Sequence, residues 1–254
     1  MRRILVLCVA TLASWAPAHG AATDAARYEA CMEKSRATPK EGLQTAEAWL
    51  AEAESTAGRH CRAVALIGLG REEEAVAALD ALGRRIEERE PALAADLYRQ
   101  AAMVHLQAGR LDAAEKLQDR GLKLAPDSVE LLIDRALLLG ARMKYEDALS
   151  VLERAHALAP ARVDILVLSA SAHRMLGQEE LAKLSLASAL EIEPEDPAAL
   201  LERGMLRRLD GDTEGARADW VRVRMIAPES PEAETATQNL KLLEEAEASE
   251  AEPQ

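Results

Sequence analysis

Residues 163–194 read VDILVLSASAHRMLGQEELAKLSLASALEIEP and end in an aliphatic-x-Pro triplet. The same triplet returns every 34 residues through the middle of the chain, where its prolines are Pro126, Pro160, Pro194 and Pro228. Self-similarity at a fixed period of this size is typical of a repeat array, so it predicts the fold before any single helix is considered. Repeat arrays present extended binding surfaces and rarely a buried chemical site, so the period also favours a binding function.

Other positions of the unit repeat as well. When each unit is counted so that its proline is residue 32, position 20 is alanine, position 8 is small and position 4 is large and apolar. Small residues allow two helix backbones to approach closely, and large ones fill the space between hairpins. Glycine in the turns of three units can end a helix in the left-handed conformation, so each unit is predicted to be helix, turn, helix and proline stop. These residues are Ala114, Ala148, Ala182 and Ala216 at position 20, Ala102, Ala136, Ala170 and Gly204 at position 8, Tyr98, Leu132, Leu166 and Leu200 at position 4, and Gly109, Gly177 and Gly211 in the turns.

This set of positions resembles the tetratricopeptide repeat, whose pattern combines Trp-x2-Leu-Gly-x2-Tyr, Ala-x3-Phe, Ala and Pro. The resemblance covers residues 95–230 and implies an all-α fold, a right-handed α-solenoid of helix-turn-helix repeats with a C-terminal capping helix. The family's aromatic residue at position 24 is replaced in most units. The residues found there are Gln118, Leu152, Leu186 and Trp220, and the four implied repeats are residues 95–128, 129–162, 163–196 and 197–230.

Weaker periodicity flanks the four repeats. Residues 24–94 are predicted to form degenerate helical hairpins, and the charged surplus at residues 84–90 is expected to lengthen a helix. Ser230 as N-cap and Pro231 as first helical residue predict a capping helix over residues 231–246. The acidic residues 247–254 have little to bury, so they are predicted to be a disordered tail.

The N-terminus has the three zones of a secretory signal peptide: the charged Met1-Arg2-Arg3, the apolar residues 4–15 and the mostly small residues 16–22. Residues 1–20 are therefore predicted to be a signal peptide, with cleavage between residues 18 and 22. A retained anchor is the alternative, but the apolar run is shorter than the roughly 20 residues that a spanning helix needs. The predicted location is outside the cytoplasm, in the bacterial periplasm, without stable membrane insertion after cleavage.

Two cysteines, Cys31 and Cys61, remain after removal of the signal peptide and its Cys8. An even pair in an exported protein predicts a disulfide. Both cysteines fall near the start of the first helix of successive hairpins, and such helices pack side by side. The alternative is two buried free thiols.

The chain is acidic, with a net charge of −13. A negative surface repels nucleic-acid phosphates and anionic lipid headgroups, so neither is expected as a partner. The acidic C-terminal segment either keeps the protein soluble or binds a basic partner.

The sequence contains no glycine-rich phosphate loop, no Gly-x-Ser-x-Gly, no His-Glu-x-x-His and no paired-cysteine metal spacing. His105 and His173 both stand at position 11, but they lie two repeats apart, and packing distances of about 8–10 Å per helix prevent them from sharing a metal. They are predicted to replace a partly buried aromatic residue. The protein is therefore predicted to be no enzyme, with no catalytic residue, no metal and no cofactor.

The resemblance also implies a binding surface, because the first helices of tetratricopeptide repeats line a concave groove. Here the implied groove is aliphatic and contains methionines, which suit adaptable apolar contacts. The Lys, Asn and Arg set with which some members hold a peptide carboxylate is absent. The hypothesis is that the groove binds an apolar helical or extended segment of another envelope protein; the alternative is that these side chains are core. The groove residues are Arg99, Ile133, Val167 and Leu201 at position 5, and Met103, Leu137, Ser171 and Met205 at position 9.

Three functional classes remain open. The first is a protein-protein interaction scaffold or adaptor in the cell envelope. The second is a self-associating structural unit, and therefore a homo-oligomer. The third is an accessory or regulatory subunit of an envelope enzyme or assembly system. All three require a protein partner, which the sequence does not name.

Overall fold

The structure is a computed structural model that describes the backbone of residues 19–251 and the side chains of residues 24–248. Most of the predicted signal peptide, residues 1–18, lies outside the described residues. The described part of the chain forms thirteen α-helices and no strand, which confirms the all-α prediction. None of these helices is long and apolar enough to cross a membrane.

The chain divides into two compact units, with the boundary between Ala78 and Leu79 inside the fourth helix. The helices are, in chain order, α1 His19–Ala37, α2 Pro39–Glu52, α3 Thr56–Gly68, α4 Glu72–Ile86, α5 Pro91–Gln107, α6 Leu111–Leu124, α7 Val129–Ala141, α8 Tyr145–Leu158, α9 Val163–Met175, α10 Glu179–Ile192, α11 Pro197–Leu209, α12 Thr213–Ile226 and α13 Pro231–Ala251.

In the first unit, α1 packs against both α2 and α3. A disulfide between Cys31 and Cys61 joins α1 to α3, with the two Cα atoms 6.1 Å apart, so the predicted bond is confirmed. Both cysteines are fully buried, and Met32, Ala46 and Trp49 pack in the same cluster. The disulfide therefore forms part of the core of this small unit.

The second unit stacks the hairpins α5–α6, α7–α8, α9–α10 and α11–α12, and α13 follows them. Each first helix also contacts the first helix of the next hairpin. The four alanines at position 20 are at most 3% exposed, as expected for close helix packing. At position 8, a Cβ added to Gly204 would collide with the indole of Trp220. The second unit is thus a helical repeat solenoid, as the period predicts.

The turn inside each hairpin needs one residue in the left-handed region. Gly109, Gly177 and Gly211 have φ angles of 70°, 70° and 84°. In the second repeat the equivalent residue is Met143, with a φ of 58° and an exposed fraction of 74%. Left-handed backbone costs a residue with a Cβ roughly 1–2 kcal/mol, so this turn is strained.

The surplus at residues 84–90 does not simply lengthen α4, as the sequence led us to expect. α4 ends at Ile86, residues 87–90 form a turn, and α5 begins at Pro91. Proline is favoured at the first helical position because its missing N–H would have no partner there. The predicted first repeat, which starts at residue 95, therefore begins inside α5.

A cluster around Arg120 holds this turn against the first repeat. Arg120 donates to the carboxylate of Asp80 at 2.6 Å, and its guanidinium lies 4.4 Å from the ring centroid of Tyr98. The Tyr98 hydroxyl donates to Glu87 at 2.7 Å. Burial raises the pKa of Tyr98, which keeps the hydroxyl protonated as a donor.

α13 extends beyond the predicted capping helix. It continues to Ala251, five residues beyond the predicted end of the capping helix, and residues 252–254 lie outside the described part of the chain. Alanine and glutamate are strong helix formers, and Arg217 of α12 donates to both carboxylate oxygens of Glu247 at 2.7 Å. This ion pair fixes the last turns of α13 to α12.

Candidate binding groove

The predicted groove residues at position 5 mostly lie below the surface. Ile133 and Val167 are each only 7% exposed and belong to the hydrophobic clusters of their repeats. Leu201 is half-buried and packs against the next cluster. These side chains lie beneath the surface of the predicted groove, so they offer a partner little contact area.

The predicted residues at position 9 reach further out. Leu137 is 37% exposed, and Met103, Ser171 and Met205 are half-buried. The accessible part of the predicted face is therefore the row formed by position 9.

Leu137 and Ser171 line one cavity of about 340 Å³ between α7, α8 and α9. A Cβ added to Gly140 would have no heavy atom within 4 Å, so there is open space beside this residue of α7. Met175 lines the same cavity and is 47% exposed. The complete lining is Ala136, Leu137, Gly140, Ala141, Tyr145, Ala148, Leu152, Leu168, Ser171, Ala172 and Met175.

The strained turn of the second repeat lies next to this cavity. Met143 stands between Ala141 and Tyr145, which both line it, and its side chain is largely exposed. Neither Met143 nor Met175 is among the residues predicted for the groove from the sequence. The sequence does contain a pattern that selects them. Met175 is at position 13 of the repeat, and Met143 stands where the other three repeats have the glycine of the turn.

Arg99, the remaining predicted groove residue, is engaged within the fold. It donates to Asp96 at 2.8 Å and to Asp134 at 3.4 Å. Asp134 is only 6% exposed, and burial raises its pKa, although the positive charge of Arg99 acts in the opposite direction. Gln118 is also buried and donates its side-chain amide to the Asp134 carbonyl at 2.9 Å. Arg99 thus stabilises the contact between α5 and α7.

Charged side chains along the first helices also pair with each other. Arg162 bridges Glu130 and Asp164 at 2.5 and 2.6 Å. Arg174 of α9 donates to Glu202 of α11 at 2.9 Å. These pairs join neighbouring repeats through charged side chains that lie outside the lining of the apolar cavity.

The two histidines at position 11 contact the turn of their own repeat. His105 Nδ1 accepts from Arg110 at 2.9 Å, and His173 Nδ1 lies 2.7 Å from the side-chain oxygen of Gln178. Among the residues that the structure describes, no group of three or more His, Cys, Asp or Glu side chains could hold a metal ion.

Comparison with known proteins identifies the fold through solved structures. No protein-family model matches the sequence, and no curated protein matches it. A tetratricopeptide repeat protein from Parabacteroides merdae is similar, with a TM-score of 0.67 and 17% identity over 89% of this chain and 86% of that one. A thermophilic tetratricopeptide repeat protein from Thermus thermophilus has a TM-score of 0.60 and 19% identity over 73% and 99% of the two chains.

A third similar structure is YrrB, a tetratricopeptide repeat protein described as having an unusual peptide-binding site. It has a TM-score of 0.50 and 19% identity over 72% of this chain and 92% of that one. Identities this low establish the fold alone. The repeat register and these structures together show that the chain has the fold of tetratricopeptide repeat proteins, an all-α solenoid of helical hairpins.

Proposed function

We propose that this chain is a non-catalytic protein-protein interaction scaffold of the bacterial cell envelope, and that it binds an apolar helical or extended segment of a partner protein. The observation that carries the proposal is the apolar cavity between α7 and α9, with Leu137 and Met175 exposed at its edge. The cavity volume of about 340 Å³ lies at the lower end of the range for ligand pockets, about 300–1,000 Å³.

The energetics favour an apolar partner. Full burial of a leucine or methionine side chain contributes about 1.5–3 kcal/mol relative to leaving it in water. Leu137, Met175 and Met143 keep large parts of their side chains exposed, so a partner that covered them would gain part of this free energy. Methionine adapts to irregular partner surfaces because its side chain is unbranched and flexible.

Two further observations support the proposal. YrrB, which shares the fold, is described as having a peptide-binding site, so peptide recognition is compatible with this architecture. The signal-peptide pattern at residues 1–20 supports a location in the envelope. Determining the N-terminus of the protein from fractionated cells by mass spectrometry tests that location, and an intact Met1 in the cytoplasmic fraction would contradict it.

The binding proposal is tested with Leu137→Glu and Met175→Glu, compared with the control Leu184→Glu. Leu184 is 65% exposed on α10 and lines neither this cavity nor any other described here, so its replacement adds the same charge elsewhere. Affinity capture from envelope extracts with quantitative mass spectrometry should recover partners with the wild type and the control but not with the two cavity variants. Capture of the same proteins by all four would contradict the proposal.

The buried Val167 is unsuitable for this test, because a charge at a site only 7% exposed would unfold the repeat. Leu137 and Met175 are exposed enough for a carboxylate to remain hydrated. Thermal unfolding followed by circular dichroism should therefore give closely similar midpoints for all four proteins.

A further inference from the structure

Among the described side chains, two of the three exposed methionines lie at the apolar cavity between α7 and α9. Met143 is 74% exposed in the turn beside the cavity, and Met175 is 47% exposed in its lining. Met32 is only 7% exposed, and Met103 and Met205 are half-buried. An exposed thioether meets oxidants dissolved in water, whereas a buried one is shielded from them. The two methionines at the cavity are therefore open to oxidation.

The backbone at Met143 shows that the turn does not require this side chain. Met143 has a φ of 58°, at the position where the other three repeats have glycine with φ angles of 70–84°. A residue with a Cβ is strained in this conformation, and little of the methionine packs against the fold. A strained backbone at an exposed side chain points to a role of that side chain in function.

The thioether of Met175 is in contact with a fixed cation. Arg174 donates from Nη1 to the Met175 sulfur at 3.6 Å, and its Nε and Nη2 donate to Glu202 at 2.9 and 3.3 Å. The Arg174 and Glu202 side chains are only 18% and 14% exposed, so the guanidinium has little freedom to turn away. A thioether sulfur is a weak acceptor, and a sulfoxide oxygen is a stronger one. An oxygen atom added to Met175 therefore finds a donor at the edge of the cavity.

We propose that Met143 and Met175 are oxidation sites at which a peroxide makes the edge of the cavity polar and releases the bound partner. The thioether sulfur attacks one oxygen of hydrogen peroxide, so an S–O bond forms as the O–O bond breaks. The proton on the attacked oxygen passes to the leaving hydroxide, which becomes water. Sulfur loses two electrons and the peroxide gains them. The release step rests on the proposed function of the cavity.

Oxidation opposes binding because a sulfoxide is polar. Arg174 supplies one hydrogen bond to an oxygen on Met175, while its second lone pair and the oxygen on Met143 are hydrated. An apolar partner segment that covers these oxygens removes their water without replacing it, and the apolar area that favours binding is reduced. Oxidation should therefore weaken apolar binding about fivefold or more.

The reactivity of the sites is tested by peptide mapping with mass spectrometry after hydrogen peroxide treatment of the folded full-length protein. We expect Met143 and Met175 to be oxidised several-fold faster than Met32, the buried internal control. Equal rates for Met175 and Met32 would overturn the proposal. This measurement needs no partner, so it tests the oxidation sites whether or not the cavity binds an apolar segment.

The effect on the cavity is tested by fluorescence titration with Nile red, a neutral apolar dye. The difference in dye binding between the wild type and Leu137→Glu gives the contribution of this cavity. The oxidised wild type should lose that contribution, and the oxidised double variant Met143→Leu/Met175→Leu should keep it. Met225→Leu is the matched control, since Met225 is 68% exposed but lines a different cavity between α12 and α13. It should lose the contribution on oxidation as the wild type does.

Dye binding by the wild type that oxidation leaves unchanged would overturn the release step, and so would an equal loss in the double leucine variant. Far-UV circular dichroism of the oxidised wild type should match that of the untreated protein; loss of helix would mean that oxidation acts by unfolding and would overturn the proposal as well. Equal dye binding by untreated wild type and Leu137→Glu would contradict the proposed function of the cavity and with it the release step. The oxidation rates distinguish that failure from a failure of the oxidation sites themselves.

Discussion

Replacing Met143 by glycine should stabilise the protein. Met143 has a φ of 58°, and relieving this strain should gain about 1–2 kcal/mol. Glycine loses more backbone entropy on folding, which costs about 0.5–1 kcal/mol, so the net gain lies between about 0 and 1.5 kcal/mol with a central value of about 0.75 kcal/mol. Little packing is lost because the methionine side chain is 74% exposed. For a chain of this size, the midpoint of thermal unfolding should rise by about 1–4 °C.

The reverse substitution supplies the matched experiment. Gly177 has the same role one repeat later, and a Cβ there would meet no heavy atom within 4 Å, so Gly177→Met tests backbone strain without a steric clash. It should lower the midpoint by a similar amount. Thermal unfolding of Met143→Gly, Gly177→Met and the wild type is followed by far-UV circular dichroism, which reports helix content. A lower midpoint for Met143→Gly would refute the reasoning, because the methionine would then be contributing contacts that outweigh its strain.

Three further predictions concern other parts of the fold. Reduction of the Cys31–Cys61 disulfide, which spans 30 residues, should lower the free energy of unfolding by about 3–4 kcal/mol in the chain-entropy model; identical urea curves with and without reductant would contradict this. Asp219→Ala should cost about 2–3 kcal/mol in the same assay, just below the roughly 3–5 kcal/mol usual for a broken buried pair, because its partners Arg203 and Arg207 are about a third exposed and can rehydrate; a loss below measurement error would be inconsistent with a buried ion-pair cluster. Burial raises the pKa of Asp134. The contribution of this carboxyl group to the free energy of unfolding is therefore complete below the ordinary pKa of aspartate and is lost as pH rises through the raised pKa. The Asp134→Asn variant should therefore be more stable than the wild type at neutral pH and lose that advantage in acid. A stability gain seen only at low pH would contradict this pH dependence.

The hairpin architecture was predictable from the sequence because local rules determine it. Proline cannot continue a helix, and an alanine at position 20 permits close packing whichever repeat contains it. Ala148 and Pro160 therefore marked the second helix of their repeat without knowledge of any distant contact. Met143 shows a limit of these local rules, because the turn of the second repeat forms without the glycine that the other three repeats have there.

The depth of each groove residue was not predictable in the same way. The register places Val167 and Leu201 at the same position of their helices, yet the first is buried and the second is half-buried. Exposure depends on how closely the neighbouring helices approach, and that depends on side chains 30 or so residues away. The extension of α13 has a similar origin, since Glu247 is fixed by Arg217 of the preceding helix.

The central claim is that the apolar cavity between α7 and α9 receives the partner. Site-specific photo-crosslinking in intact cells tests it most directly, with a benzophenone amino acid placed at Leu137 in one protein and at Leu184 in another. The account predicts a crosslinked partner from position 137 and none from position 184. A partner crosslinked from position 184 but not from position 137 would contradict it.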